Sequence, residues 1–318
     1  MKTYRHLAIT STLFLSLWTG HISLNQAQDQ NQNQKPKFMT VAERTSTIID
    51  LEILEEQAQS GDVRSQLRLG SMYRNGTAVA RNTQRAFYWF LQAAKSGHVL
   101  AQLRVAKMFQ EGIGVERNNQ SAFEWISRAA QSRHVDALTQ MGKMFQHGIG
   151  TPTSLTRAFE VFLDAAQQGQ TEAQNHVADM FWNGLGTPQD RLQALRWYEA
   201  SAHQGNVDAK NTLGILHLQG EGVAKNTERG LELIIGAASD GHPAAFHNLG
   251  LIYEIGLGVP PNNLYAYLWF TVAAENGHQN AARFREGVAL SMSSEAIKKA
   301  QELATICRVK NYKRCISF

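Results

Sequence analysis

The stretch EGIGVERNNQSAFEW, residues 111–125, poses the question that decides the fold. Gly112 and Gly114 form a Gly-x-Gly that is followed by polar residues and an aromatic run ending at Trp125. Closely spaced glycines before a helix can cradle a phosphate, or they can let the chain turn through positive φ angles. These two uses differ in how often the pattern must occur in one chain.

The pattern recurs at a fixed interval of 36 residues. A second landmark, a turn residue that is nearly always glycine, has the same spacing and falls at Gly61, Gly97, Arg133, Gly169, Gly205, Gly241 and Gly277. In that register the Gly-x-Gly returns at Gly148 and Gly150, Gly184 and Gly186, Gly220 and Gly222, and Gly256 and Gly258. A phosphate loop is needed once, whereas a turn is needed in every unit. We therefore interpret these glycines as turn residues that end helices.

Two helices are predicted in each repeat, on either side of this turn. Counted from the landmark turn residue, positions eight and eleven are aliphatic and position twelve is aromatic, with His217 as the exception, and this spacing forms one helical face. The second helix starts at a residue able to cap it, namely Asn82, Asn118, Ser154, Asp190, Asn226 or Asn262. The sequence thus predicts an all-α fold, an α-α superhelix (solenoid) of 36-residue helix-turn-helix repeats.

Six segments are predicted along the chain. Lys2 and Arg5 precede an apolar run, which is typical of a signal peptide ending near Ala27, with an uncleaved anchor as the alternative. The segments are a signal peptide (1–27), a disordered leader (28–43), an N-terminal capping helix (44–60), six repeats (61–276), a C-terminal capping hairpin (277–306) and a Cys-containing tail (307–318).

The charge balance argues against nucleic acid as a partner. The whole chain carries a formal net charge of +4, and removal of Lys2 and Arg5 with the signal peptide takes away two cations and no acid, leaving +2. Such a near-neutral chain has no electrostatic reason to bind nucleic acid. We expect a periplasmic or secreted protein with no stable membrane insertion after cleavage, and its oligomeric state is left open.

The repeat pattern resembles a known family. Residues 244–277, AAFHNLGLIYEIGLGVPPNNLYAYLWFTVAAENG, follow the order Ala-x-x-x-Leu-Gly-x-x-Tyr, Gly-x-Gly-Val and Ala-x-x-Trp-x-x-x-Ala-Ala-x-x-Gly. This order closely resembles the Sel-like repeats, relatives of the tetratricopeptide repeats, and the resemblance covers roughly residues 51–304. Arg133, Ala78, Val161 and Gly230 depart from the pattern at single positions.

Catalytic and metal chemistry find little support in the residues. Some secreted relatives with a cysteine pair in every repeat have been linked to binding or hydrolysing β-lactams, but the repeats here contain no cysteine, Ser-x-x-Lys or His-Glu-x-x-His. His98, His134, His242 and His278 share one loop position and are too widely spaced for one metal ion. No enzyme activity, metal or cofactor is therefore expected.

Cys307 and Cys315 are predicted to form a disulfide if the helix ends between them near Asn311, with two free thiols as the alternative.

The favoured function is a scaffold that binds a protein or peptide partner in the concave groove of the solenoid, which the first helices line. Positions three, six, ten and thirteen lie opposite the apolar face, and tetratricopeptide relatives use the equivalent places. The predicted groove residues are Lys107, Thr139, Lys143, Gln146, Asn175, Asp179, Trp182, Asn211, Ile215, Leu218 and Leu251. Trp182 is predicted to be an exposed anchor at the centre of the groove, with packing on the next repeat as the alternative. A cell-wall-related or β-lactam hydrolase and a secreted factor that binds host proteins are the other functions considered.

Overall fold

The computed structural model describes residues 41–313 and Cys315, with side chains from Asp50 onward. The predicted signal peptide (1–27) and most of the predicted leader (28–43) lie outside the described residues. The chain separates into two units, Met1–Ile49 and Asp50–Phe318, and the helical stack belongs to the second. Within the described residues no helix is both long and apolar enough to cross a bilayer.

The described residues form helices and turns without any strand. The helices are α1 (Val41–Gln59), α2 (Val63–Asn75), α3 (Thr83–Lys95), α4 (Val99–Glu111), α5 (Asn119–Gln131), α6 (Val135–His147), α7 (Leu155–Gln167), α8 (Thr171–Asn183), α9 (Arg191–His203), α10 (Val207–Gln219), α11 (Thr227–Ser239), α12 (Pro243–Ile255), α13 (Asn263–Glu275), α14 (Ala281–Ala289) and α15 (Ser294–Val309). Each even-numbered helix from α2 to α12 packs on the helix that follows it, and this second helix packs on the first helix of the next repeat. The predicted all-α solenoid of helical hairpins is confirmed.

Side-chain caps fix where the helices begin. The Asn118 carboxamide accepts a hydrogen bond from the backbone N–H of Ser121 at the start of α5, and the equivalent Asx or Ser residue caps every other second helix of the six repeats. Two of the four repeated loop histidines have the same use: His98 Nδ1 accepts from the N–H of Ala101 at the start of α4, and His242 Nδ1 accepts from the N–H of Ala245 at the start of α12. Nδ1 of His134 and of His278 has no hydrogen-bond partner, so these two histidines do not cap a helix.

Both glycines of residues 111–125 have a structural role. Gly112 ends α4 in the left-handed region at φ +70°, and its N–H donates to the carbonyl of Met108. Gly114, at φ +72°, lies so close to the preceding repeat that an added Cβ would overlap the carbonyl group of Thr83. The first glycine thus ends a helix, and the second lets the turn contact the start of the previous second helix. The interpretation of the Gly-x-Gly as a turn is confirmed.

Aromatic side chains join consecutive repeats. Edge-to-face pairs form between Phe87 and Phe109, with ring centroids 5.2 Å apart, between Phe123 and Phe145 at 5.3 Å, and between Phe159 and Phe181 at 5.0 Å. Each pair connects the second helix of one repeat to the first helix of the next. The paired alanines at the ends of α3, α5, α7 and α11 are buried, as expected for close helix approach.

The two ends of the stack differ in detail from the predicted boundaries. α1 begins at Val41, inside the segment predicted as leader, and its Leu54 and Ala58 enter the first core cluster. α15 continues to Val309, so Cys307 lies in the helix and not in a separate tail. Beyond it, Asn311 at φ +48° and Tyr312 at φ +63° turn the chain, which is the predicted break.

The predicted disulfide is absent from the structure, in which both cysteines are free. The turn at Asn311 and Tyr312 brings Cys315 back onto α15, where its thiol forms a hydrogen bond with the buried thiol of Cys307. Burial, and after it the contact with Cys315, raises the pKa of the Cys307 thiol. The fold places the two thiols in contact, but formation of a disulfide bond between them also requires an oxidant.

Candidate interaction face

The first helices of the six repeats present one surface on the side away from the second helices. We call the surface of positions three, six, seven, ten and thirteen of α2, α4, α6, α8, α10 and α12 the first-helix face. Of the predicted groove residues, Lys107 is exposed, and Lys143, Gln146, Asn175, Asp179, Ile215 and Leu251 are partly buried. Thr139, Trp182, Asn211 and Leu218 are buried.

The prediction of an exposed Trp182 is wrong. The ring is only 8% exposed and belongs to the core cluster of Leu195 and Tyr198. It lies against Gly222 of the next repeat, where an added Cβ would meet the ring at 3.2 Å, and the guanidinium of Arg191 lies over it at 5.0 Å from the centroid. The following Gly-x-Gly turn covers the ring, so Trp182 joins two repeats and is not available as an anchor.

Three other predicted groove residues are buried and cannot contact a ligand in this conformation. A Cβ added at Gly230 would lie 2.7 Å from Leu218 Cγ. The glycine at this position, where the repeat pattern has alanine, therefore makes room for the Leu218 side chain. The hydroxyl of Thr139 donates to the Val135 carbonyl of its own helix. Asn211 accepts from the Asn248 carboxamide at 2.8 Å, which connects the first helices of two repeats.

The centre of the first-helix face carries a polar cluster. Tyr198 donates to Asp179 Oδ1 at 2.6 Å, and the Asn175 carboxamide lies 3.5 Å from Asp179 Oδ2. Burial raises the pKa of Asp179 to about 6, although the hydrogen bond from Tyr198 opposes this shift. Beside it, Lys143 forms an ion pair with Glu172 of the next repeat. These groups largely satisfy one another: the contact of Tyr198 with Asp179 joins the two helices of one repeat, and the Lys143–Glu172 pair joins two repeats.

A larger opening lies at the N-terminal end of the first-helix face, between α2 and α4. The cavity has a volume of about 530 Å³ and is lined by Arg74, Leu100, Leu103, Arg104, Lys107, Met108, Glu111 and Ile113. We call it the N-terminal pocket. Leu100 is 58% exposed and lies among three cations, Arg74, Arg104 and Lys107.

The charge of the N-terminal pocket is predominantly positive. Arg74, Arg104 and Lys107 face a single acid, Glu111, which forms a 3.7 Å ion pair with Lys107. Burial, and after it the nearby charge of Arg74, lowers the pKa of Arg104, whose guanidinium stacks over the Phe90 ring at 4.6 Å. The pocket therefore combines fixed cations with apolar walls.

Of the residues that line this pocket, the predicted groove list named only Lys107. Leu100 stands at position three, a predicted groove position from which no residue was chosen, and Arg104 stands at position seven, which the groove prediction did not include. A usable signal was present in the charge of each helix: α2 contains three arginines and no acid, whereas α8 contains two acids and no lysine or arginine. The described residues hold no group of three or more His, Cys, Asp and Glu side chains suited to a metal ion.

Comparisons with known proteins agree with this architecture. The family model described as Sel1 repeat matches residues 63–98, 99–134, 135–170, 171–206, 207–242 and 243–278. The structure of a Sel1 repeat protein from Oxalobacter formigenes is similar at a TM-score of 0.62 and 27% identity, with 74% of this chain and 99% of that chain covered. Among curated protein sequences, none matches this chain.

A second solved structure is that of a protective antigen present in uropathogenic Escherichia coli strains, which displays an SLR fold. It is similar at a TM-score of 0.57 and 27% identity, with 83% of this chain covered. This chain spans 64% of the antigen's length. The resemblance stated from the sequence is thus confirmed at the level of family and fold.

Proposed function

We propose that this chain, which belongs to the Sel1 repeat family, is a secreted or periplasmic scaffold that binds a protein or peptide partner on its first-helix face. Sel1 repeat proteins are generally scaffolds for protein interactions, and their fold is typically not enzymatic. The signal-peptide pattern of residues 1–27 supports the location.

The N-terminal pocket is the observation that carries this proposal. Its exposed Leu100 and partly exposed Ile113 offer apolar contact, while Arg74 and Lys107 offer charge at the rim. An extended segment with aliphatic side chains next to aspartate or glutamate is complementary to both features. The proposed partner segment is therefore acidic and aliphatic.

A pair of peptides tests this chemistry. Fluorescein-labelled Leu-Asp-Glu-Leu-Asp amide and the same peptide with lysine at the acidic positions are titrated with the chain, and binding is followed by anisotropy at two salt concentrations. The acidic peptide should bind more tightly than the lysine peptide, and added salt should weaken it because rim charges are screened. Equal affinities for the two peptides would contradict the proposed partner chemistry.

Charge-reversal variants locate the site. Arg74→Glu together with Lys107→Glu should weaken the acidic peptide about tenfold or more, a loss of at least about 1.4 kcal/mol. Arg196→Glu together with Lys299→Glu, on the exposed surfaces of α9 and α15, is the charge-matched control and should leave binding unchanged. If both proteins lose affinity equally, the effect is one of net charge and the N-terminal pocket is not the site.

Natural partners are sought by pull-down with the wild type and the Arg74→Glu/Lys107→Glu variant, from periplasmic extract and host lysate in parallel. Host lysate is included because one structural relative is a protective antigen. A partner retained by the wild type and lost by the variant supports the scaffold function. Turnover of a chromogenic β-lactam by the purified chain would instead favour the hydrolase alternative.

A further inference from the structure

A second cavity lies in the fifth repeat, away from the first-helix face. Its volume is about 270 Å³, and it is lined by Glu199, Ala202, His203, Lys210, Leu213, His217, Arg229 and Leu233. These residues come from α9, α10 and α11, so the cavity lies among a first helix and the two second helices that flank it. Glu199 and His203 are exposed and place its mouth at the surface.

Missing aromatic rings explain the cavity. One repeat earlier, the corresponding positions hold Phe181, which pairs with Phe159, and Trp197, which packs against the neighbouring core. In the fifth repeat the same positions hold His217 and Leu233. The third repeat lacks the tryptophan but keeps its phenylalanine at position twelve, and the sixth repeat keeps both rings. The fifth repeat alone lacks both, which leaves space that the other repeats fill with their own side chains.

The lining suits a planar ring that carries a hydrogen-bond donor. Ala202, Leu213 and Leu233 provide apolar contact. Nδ1 of His217 is buried without a hydrogen-bond partner, whereas most buried polar atoms in native proteins have one. At the edge, Arg229 is held by Glu232 at 2.6 Å and Lys210 by Asp240 at 2.8 Å, so both cations already have partners.

We propose that this cavity is a binding site for a tryptophan side chain of a partner protein. The indole ring replaces the aromatic packing that the fifth repeat lacks, and its N–H is a donor for the unpartnered Nδ1 of His217. Tyrosine also carries a hydrogen-bond donor. We choose tryptophan because the position that holds Leu233 in the fifth repeat holds an indole in the first, second, fourth and sixth repeats, at Trp89, Trp125, Trp197 and Trp269. This site does not depend on the N-terminal pocket.

The site is tested with N-acetyl-L-tryptophanamide on the full chain. The histidine imidazole signals are followed by two-dimensional NMR, because the chain's own six tryptophans interfere with fluorescence. His217 and His203 should show saturable shifts with a dissociation constant on the order of 1 mM, as befits one small ligand. The absence of a saturable shift up to 20 mM overturns the proposal, and tighter binding of N-acetyl-L-tyrosinamide overturns the choice of indole.

Filling variants separate this site from weak binding elsewhere. Leu233→Trp restores the ring that other repeats carry, and it should abolish the ligand-induced shifts and raise the melting temperature. His217→Phe is a second filling variant in case the first does not fold, and it is read out on His203. Leu192→Trp, at a side chain 61% exposed on α9, is the control and should leave the shifts intact. Shifts that persist in a folded filling variant place the ligand outside this cavity and overturn the proposal.

Discussion

Gly150→Ala tests whether the second glycine of each Gly-x-Gly turn holds neighbouring repeats together. Gly150 has φ +69°, and an added Cβ would lie 2.5 Å from the carbonyl carbon of Asn119 and nearer still to its oxygen. The left-handed backbone costs alanine about 1 kcal/mol, and relief of the overlap requires a backbone shift costing about 1–3 kcal/mol more. We expect the free energy of unfolding to fall by about 2–4 kcal/mol, measured by urea denaturation followed by circular dichroism.

The control is Gly169→Ala, another glycine with positive φ. Its φ is +89°, and an added Cβ would meet nothing within 4 Å, so only the cost of the left-handed backbone, about 1 kcal/mol, should remain. Hydrogen exchange should also accelerate at the start of α5 in Gly150→Ala and not in Gly169→Ala, because the overlap is with that helix. Equal losses of stability in the two variants would refute the close-approach argument and leave backbone conformation as the whole effect.

Further predictions concern single residues. Arg133→Gly should stabilise the chain by a few tenths of a kcal/mol in urea denaturation, because relief of φ +56° slightly exceeds the entropy glycine adds to the unfolded state. Asp179 has a folded pKa of about 6, above its unfolded value, so the folded state binds the extra proton and stability falls as pH rises from about 4 to about 6. Asp179→Asn should remove this dependence. The free energy of unfolding of the variant minus that of wild type should therefore be about 2 kcal/mol larger at pH 7 than at pH 4. The same difference at both pH values would contradict the raised pKa of Asp179. Added oxidised glutathione should join Cys307 and Cys315 while it is itself reduced to two glutathione thiols; the bond is seen as the loss of two hydrogen atoms' mass and should stabilise the chain by about 2–3 kcal/mol relative to the reduced form. Mass spectrometry of the exported protein should find cleavage after Ala27, and an intact N-terminus would favour the anchor.

The repeat, its helices and its turns could be predicted because their determinants are local. A capping side chain such as Asn118 acts within its own first turn, and Gly112 ends the helix in which it stands. A fixed interval then repeats these signals through the chain. Nothing beyond the register is needed to place the hairpins in order.

The site was harder to predict because it depends on contacts between repeats. Helical periodicity predicts on which side of α8 the Trp182 side chain lies. It does not predict that this side chain is covered by the turn at Gly222, which belongs to the next repeat and lies forty residues further along the chain. The same limit applies to Cys307 and Cys315: the sequence indicates a break near Asn311, whereas the contact of two free thiols depends on how the turn returns to α15.

The Gly-x-Gly turn also influences which positions of a repeat can contact a partner. It reaches toward the C-terminal end of the preceding first helix, where Trp182 at position thirteen is covered by Gly222 of the following repeat. Positions three and seven lie nearer the start of the helix, and there Leu100 and Arg104 border an open pocket. A large apolar side chain near the turn can therefore be buried between repeats, as Trp182 is. The same kind of side chain near the start of the helix can stay on the surface, as Leu100 does. Position thirteen alone therefore does not decide exposure: Trp182 is buried there by the next turn, whereas Arg74 stays exposed beside the N-terminal pocket.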